Sequence, residues 1–108
     1  MASILFIGKI YNSREALIRA VDAIRRKYEV GHAIEGADAD MVTAVFDLHP
    51  DREEKTAGRE ISHYEVRTYK FGTRAFFVVF TDGTSIDFSF EKALRHAYPA
   101  TSKSAAFA

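Results

Sequence analysis

The sequence predicts an α+β domain. An antiparallel β-meander of three C-terminal strands, plus an N-terminal strand, packs against two helices and a short C-terminal helix. Three observations carry this reading. Apolar residues recur at helical spacing between Asn12 and Leu48. From Ile61 onward the spacing changes to the alternation of strands. The chain has 108 residues, 47% hydrophobic and 28% charged, which is the length of one domain and the composition of a folded one.

Ile4 to Tyr11 reads as a strand, rich in Ile and Phe and bounded by turn formers. Asn12 then offers a helix N-cap, and Glu15 completes a capping box. Leu17, Val21, Ile24 and Tyr28 share one face of that helix. Arg25, Arg26 and Lys27 fall in its last turn, where cations suit the dipole, and Gly31 is the expected terminator. A second helix is expected from Asp38 or Asp40 to Leu48. The two acids suit its start, Met41, Val42, Val45 and Phe46 form its buried stripe, and Pro50 blocks its continuation. Asp51 to Glu60 has no large apolar residue and reads as an exposed loop.

Tyr64, Val66 and Thr68 then alternate with Glu65, Arg67 and Tyr69, and Phe71-Gly72-Thr73 turns the chain. Phe76 to Phe80 is apolar on both faces, the mark of a central strand. Asp82-Gly83 is a hairpin turn signal. After it, Ile86, Phe88 and Phe90 point one way and Ser85, Asp87 and Ser89 the other. Glu91 to Ala97 reads as a last helix ended before Pro99. Residues 1–99 are therefore one domain, and 100–108, small and polar, are expected to be a flexible tail. The expected core includes Leu17, Val21, Phe46, Phe77, Val79, Ile86 and Phe88.

Fifteen Lys and Arg balance fifteen Asp and Glu. This excludes the global basicity of a protein that holds a duplex by counterion release, and leaves a local basic face open. With no cysteine, a disulfide scaffold, a thiolate metal site and a cysteine nucleophile are excluded. His32, His49, His63 and His96 include no pair at helical metal spacing, and no phosphate-binding glycine loop or nucleophile elbow is present. No catalytic residue, metal or cofactor is assigned. His49 with Glu53, or Asp87 with Lys92, offers an acid–base pair, but nothing in the spacing demands one. The apolar run Ile4 to Ile7 is too short for a signal peptide or a membrane span, so a cytoplasmic protein is expected.

One series of residues stands out. It comprises Leu48-His49-Pro50-x-x-Glu53-x-Lys55-x-x-Gly58, then Gly72-x-Arg74-x-Phe76-Phe77, then Asp82-Gly83-x-x-x-Asp87-Phe88-Ser89-Phe90-x-Lys92, and finally Tyr98-Pro99. The series resembles the DCL family, named for the plant protein Defective Chloroplasts and Leaves. The resemblance covers roughly Leu48 to Pro99 well and the first strand and helix in outline. Family members often carry cysteines where this chain has Ala75 and Ala93, so a thiol-dependent role is absent. Plant members look like plastid factors needed for ribosomal RNA maturation, and a similar domain sits in the tail of a plant RNA polymerase subunit. The resemblance thus implies a stand-alone accessory protein whose partners are RNA or a transcription or ribosome-assembly protein. It brings no catalytic residues.

Two readings of the residues stand side by side. In the first, Arg67, Tyr69, Lys70, Arg74 and Lys92 contact RNA, the basic groups holding phosphates and the rings stacking on unpaired bases. Tyr64, Phe71, Phe76, Phe80 and Phe90 are further aromatic candidates. In the second, these residues are structural. His49 closes a helix C-terminus, Arg74 pairs with Asp87 across strands, and Asp87 or Ser89 caps the last helix. The helix with Arg14, Arg19, Arg25 and Arg26 is either a basic stripe or an ordinary solvated face. The alternative of another class is a protein-interaction module whose sheet face or edge docks on a partner.

Overall fold

A computed structural model describes residues 3–99. Among these residues four α-helices and five strands follow in order: β1 (Ile4–Phe6), β2 (Lys9–Tyr11), α1 (Arg14–Lys27), α2 (Gly36–Asp47), α3 (Arg52–Thr56), β3 (Ile61–Thr68), β4 (Arg74–Phe80), β5 (Ser85–Phe88) and α4 (Phe90–Ala97), with one 3-10 turn at Lys70–Gly72. The predicted α+β class and the C-terminal meander are both present. β4 is central, with β3 and β5 antiparallel on either side. The tail lies outside the described residues.

The N-terminal segment differs from expectation. It is not one strand added to the meander but a separate hairpin, β1 with β2, in which Leu5 lies opposite Ile10. The split falls at Ile7-Gly8. Both have positive φ, +38° and +81°, which is the backbone of a primed two-residue hairpin turn. Glycine adopts it freely, whereas a β-branched residue is strained there.

The N-cap of α1 is Ser13 rather than Asn12: its hydroxyl accepts from the Ala16 amide at 3.1 Å. The helix ends at Lys27, four residues before Gly31. Gly31 serves elsewhere, donating its amide to the Val66 carbonyl at 2.9 Å. Ile34 does the same to Tyr64 at 2.8 Å, so this connection covers the free edge of β3. Asp38 sits in the first turn of α2 but does not cap it. Its carboxylate takes Lys27 Nζ at 2.8 Å and the Tyr28 hydroxyl at 2.9 Å, tying the two helices together. Between Asp51 and Glu60, where a loop was expected, one short helix forms.

α1 packs on β4, α2 on β3, and α4 against both helices. The core between them holds Leu17, Val21, Val42, Val45, Phe46, Val66, Phe76, Val78, Phe80, Phe88 and Leu94. Phe77 and Val79 leave this core. The register places Phe76 opposite Phe88 and Val78 opposite Ile86, so Phe77 and Val79 lie on the other face, opposite Asp87 and Ser85. Phe90 is not the last strand residue but the first of α4. It still reaches the core, its ring edge-on to Phe76 at 5.6 Å.

Candidate nucleic-acid interface and the motif residues

The outer face of the sheet carries His63, Glu65 and Arg67 from β3, alternating with buried Tyr64 and Val66. Arg67 donates to Glu65 at 2.8 Å and to Ser85 Oγ at 2.8 Å, and lies over the Phe77 ring. His63 meets the other Glu65 oxygen at 2.6 Å. Burial pushes the Glu65 carboxyl up, but the bonds from His63 and Arg67 outweigh it, and the net result lies below the ordinary 4.5. Arg67 is therefore largely committed to the sheet.

The connection from β3 to β4 is more open. Tyr69 packs edge-on against Phe77 at 6.3 Å and keeps 37% of its surface. Lys70 lies over the Tyr69 ring. Phe71 is 100% exposed and holds φ at +59°, the left-handed region that non-glycine residues avoid. The turn is closed by Tyr69 and Thr73, whose backbones bond at 2.6 Å. Arg74 donates through Nη1 to the Tyr28 carbonyl at 3.1 Å, and Arg25 donates to the Arg74 carbonyl at 3.2 Å. The expected Arg74–Asp87 pair does not form, because β4 runs two residues beyond its last pairing with β5.

The structure thus brings Tyr69, Lys70, Phe71 and Arg74 to one end of the sheet, with Arg67 beside Phe77. It does not bring Lys92 there. Lys92 Nζ binds Asp51 at 3.0 Å. Four of the aromatic candidates, Tyr64, Phe76, Phe80 and Phe90, are buried. The basic residues of α1 are largely paired: Arg25 and Arg26 with Asp22, Lys27 with Asp38, and Arg14 with Glu15.

The motif residues farther from the turn form a lock. Lys55 of α3 donates to the Asp87 carbonyl at 3.0 Å, and Lys92 of α4 holds Asp51 at the start of α3. Ser89 caps α4, accepting from the Lys92 amide at 3.1 Å, as expected. His49 is buried beside Phe46 and Phe88. Its side chain does not close α2 by donating to its carbonyls, although its backbone amide donates to the Phe46 carbonyl at 3.0 Å. Its Nδ1 instead accepts the Asp51 amide at 3.0 Å, which fixes the neutral tautomer with the proton on Nε2. Burial, and then the neighbouring Lys55 charge, hold its pKa below the ordinary 6.5.

The sequence missed one feature here. A cleft of about 260 Å³ opens between the turn, the start of β4 and the start of α4, lined by Arg25, Tyr69, Arg74, Asp87, Ser89 and Glu91 over an apolar floor. Among the described residues no cluster of His, Asp and Glu is suited to hold a metal, and no helix is long and apolar enough to cross a membrane.

Fold and site together define a small α+β domain: a three-stranded meander with helices on one face and an exposed aromatic turn at one end. Residues 22–94 match the model of a family described as protein of unknown function, DUF3223, and the chain belongs to that family. The solution NMR structure of an uncharacterized protein from Rhodospirillum rubrum has the same fold. Its TM-score is 0.76 at 24% identity, over 92% of this chain and 95% of that one. No curated protein matches the chain.

Proposed function

We propose that the protein is a non-enzymatic accessory factor that binds single-stranded or looped RNA through the turn between β3 and β4. The observation that carries this reading is Phe71. A fully exposed phenylalanine in a left-handed conformation contributes nothing to the core and strains the backbone, a combination that marks functional sites. Beside it stand a second ring, Tyr69, and two cations, Lys70 and Arg74, that have no carboxylate partner among the described residues. Rings that stack on bases, flanked by cations for the phosphates, are the parts of a sequence-tolerant single-strand site. The resemblance to the DCL family supports the same direction, toward ribosomal RNA maturation.

The test is a titration of fluorescently labelled RNA. With Lys70 and Arg74 engaged, affinity is expected to be micromolar or weaker and to fall with salt at a log–log slope of about −1.4. Phe71→Ala should weaken binding by roughly 1–3 kcal/mol, the range for one stacked base. Lys70→Glu with Arg74→Glu should abolish it while circular dichroism stays unchanged. Arg67 is left intact because its bonds to Glu65 and Ser85 support the sheet. Absence of binding by the wild type at low salt would reject this reading.

A second reading, a protein-interaction module, rests on a separate observation. Leu5 and Ile10, cross-strand neighbours in the hairpin, are 69% and 66% exposed, and strained Ile7 at its tip is exposed beside them. A partner with a complementary apolar surface would cover these side chains.

A further inference from the structure

We propose that the cleft beside the aromatic turn holds one unpaired guanine base of the strand that the turn contacts. This rests on the RNA reading above.

The cleft exists because the sheet is uneven. β3 and β4 pair as far as Thr68 and Arg74, whereas β4 and β5 pair only as far as Phe76 and Phe88. β5 leaves the sheet there to enter α4. No strand flanks Arg74 and Ala75 on that side, and the space left open is the cleft. Its volume of about 260 Å³ falls just below the range of roughly 300–1,000 Å³ for drug-sized ligands. One base suits that size.

The lining selects the ligand's chemistry. Ala75 and the edge of Phe90 supply apolar surface above the buried Phe76 and Phe88, and the Tyr69 ring supplies an aromatic wall, which suits a flat heterocycle. Two carboxylates, Asp87 and Glu91, also line the cleft. They disfavour a phosphate inside it and leave the base as the part of a nucleotide that fits. Arg25 is committed to Asp22 and to the Arg74 carbonyl and serves as a wall of the cleft. Arg74 has only a carbonyl partner, at Tyr28, and can meet a flanking phosphate.

Asp87 decides which base. Its carboxylate has no hydrogen-bond or ion-pair partner among the described residues, since the Lys55 contact uses its backbone carbonyl. An ionised carboxylate only accepts, and it accepts two parallel N–H bonds best. Guanine alone among the four RNA bases offers two adjacent N–H donors on its Watson–Crick edge, N1–H and N2–H. Adenine and cytosine each set a ring acceptor beside their amino group, and uracil sets its single N–H between two carbonyls. Ser89 Oγ accepts the Lys92 amide, so its own proton remains to donate to guanine O6.

The experiment compares three labelled RNA octamers on the full chain: all uridine, one central adenosine, and one central guanosine. The guanosine octamer should bind about tenfold tighter than the other two, the discrimination of one bidentate contact. Asp87→Asn should remove that advantage, read as the ratio of guanosine-octamer to all-uridine affinity measured on the same variant. A second measurement needs no variant: guanosine monophosphate, but not adenosine monophosphate, should shift the backbone amide resonances of Ala75, Ser89 and Glu91. Equal binding of the three octamers, or a preference that survives in folded Asp87→Asn, overturns the guanine site and leaves the RNA reading standing. Equal shifts from the two nucleotides do the same. Failure of every octamer to bind overturns both.

Discussion

Phe88→Ala tests whether the Asp87-Phe88-Ser89 block is built into the core. The Phe88 ring is 2% exposed and is enclosed by four others. Their centroids lie at 4.8 Å for Phe46, 5.9 Å for Phe76, 6.2 Å for His49 and 6.4 Å for Tyr64. Truncating a buried phenylalanine costs about 3–5 kcal/mol. The upper half of that range applies here, because aromatic pairs add roughly 0.5–1.5 kcal/mol each beyond the area they bury. Neighbours on three different elements, α2, β3 and β4, also cannot all close the gap. A domain of this size has a total stability of about 5–15 kcal/mol, so the loss consumes about a quarter or more. At about 4–8 °C per kcal/mol, the melting temperature falls by roughly 15 °C or more. Urea denaturation followed by circular dichroism measures this directly. Phe71→Ala is the matched control, since the same truncation at an exposed site should stay within about 0.5 kcal/mol. A Phe88→Ala loss below about 1 kcal/mol, or equal losses at the two positions, would refute the placement of these side chains.

Ser89→Ala should cost about 1 kcal/mol through loss of the α4 cap, and the same urea titration reads it. Stability should also fall with acid in two stages. The folded chain holds His49 below 6.5, so the unfolded chain takes up a proton that the folded one resists; stability is full above that pH and declines as pH drops through it. Glu65, held below 4.5, adds a further loss as pH falls below that value. His49→Asn keeps an acceptor for the Asp51 amide without the titration, so it should flatten the first stage only. A first stage of unchanged depth in that variant would reject the assignment.

How much of this the sequence carried depended on whether the deciding contact was local. Central placement of β4 was readable because both its faces are apolar. Which face meets the helices was not, since Phe76, Val78 and Phe80 match Phe77 and Val79 in character. Only packing under α1 and α2 separates them. The Ser89 cap was readable from residue type and position. The place of Asp38 at the start of α2 is local and readable; its bridge to Lys27 and Tyr28 is not, since no local pattern records a contact between helices. α3 was invisible because it buries no large apolar residue and is held by Lys55 and Lys92, which act across the chain. Ile7-Gly8 was read through as strand, since an isoleucine with positive φ is the least expected residue at a turn. Of the binding candidates, Tyr69, Lys70 and Arg74 came together as a local group. Separating Lys92 from them required its long-range partner, Asp51.

The structural and functional readings of the motif residues cease to compete once strand alternation is applied to Asp87, Phe88 and Ser89. Alternation sends Phe88 into the core and Asp87 to the other face, while Ser89 stands at the point where strand gives way to helix. Lys55 and Lys92 fasten that point to α3, through the Asp87 carbonyl and through Asp51. Each fastening helps decide where β5 stops, and β5 stopping two residues short of the start of β4 is what opens the cleft. The residues that hold the fold here therefore also shape the space that Asp87 and Tyr69 line. A residue of the lock can then affect binding without touching a ligand, by altering the length of β5.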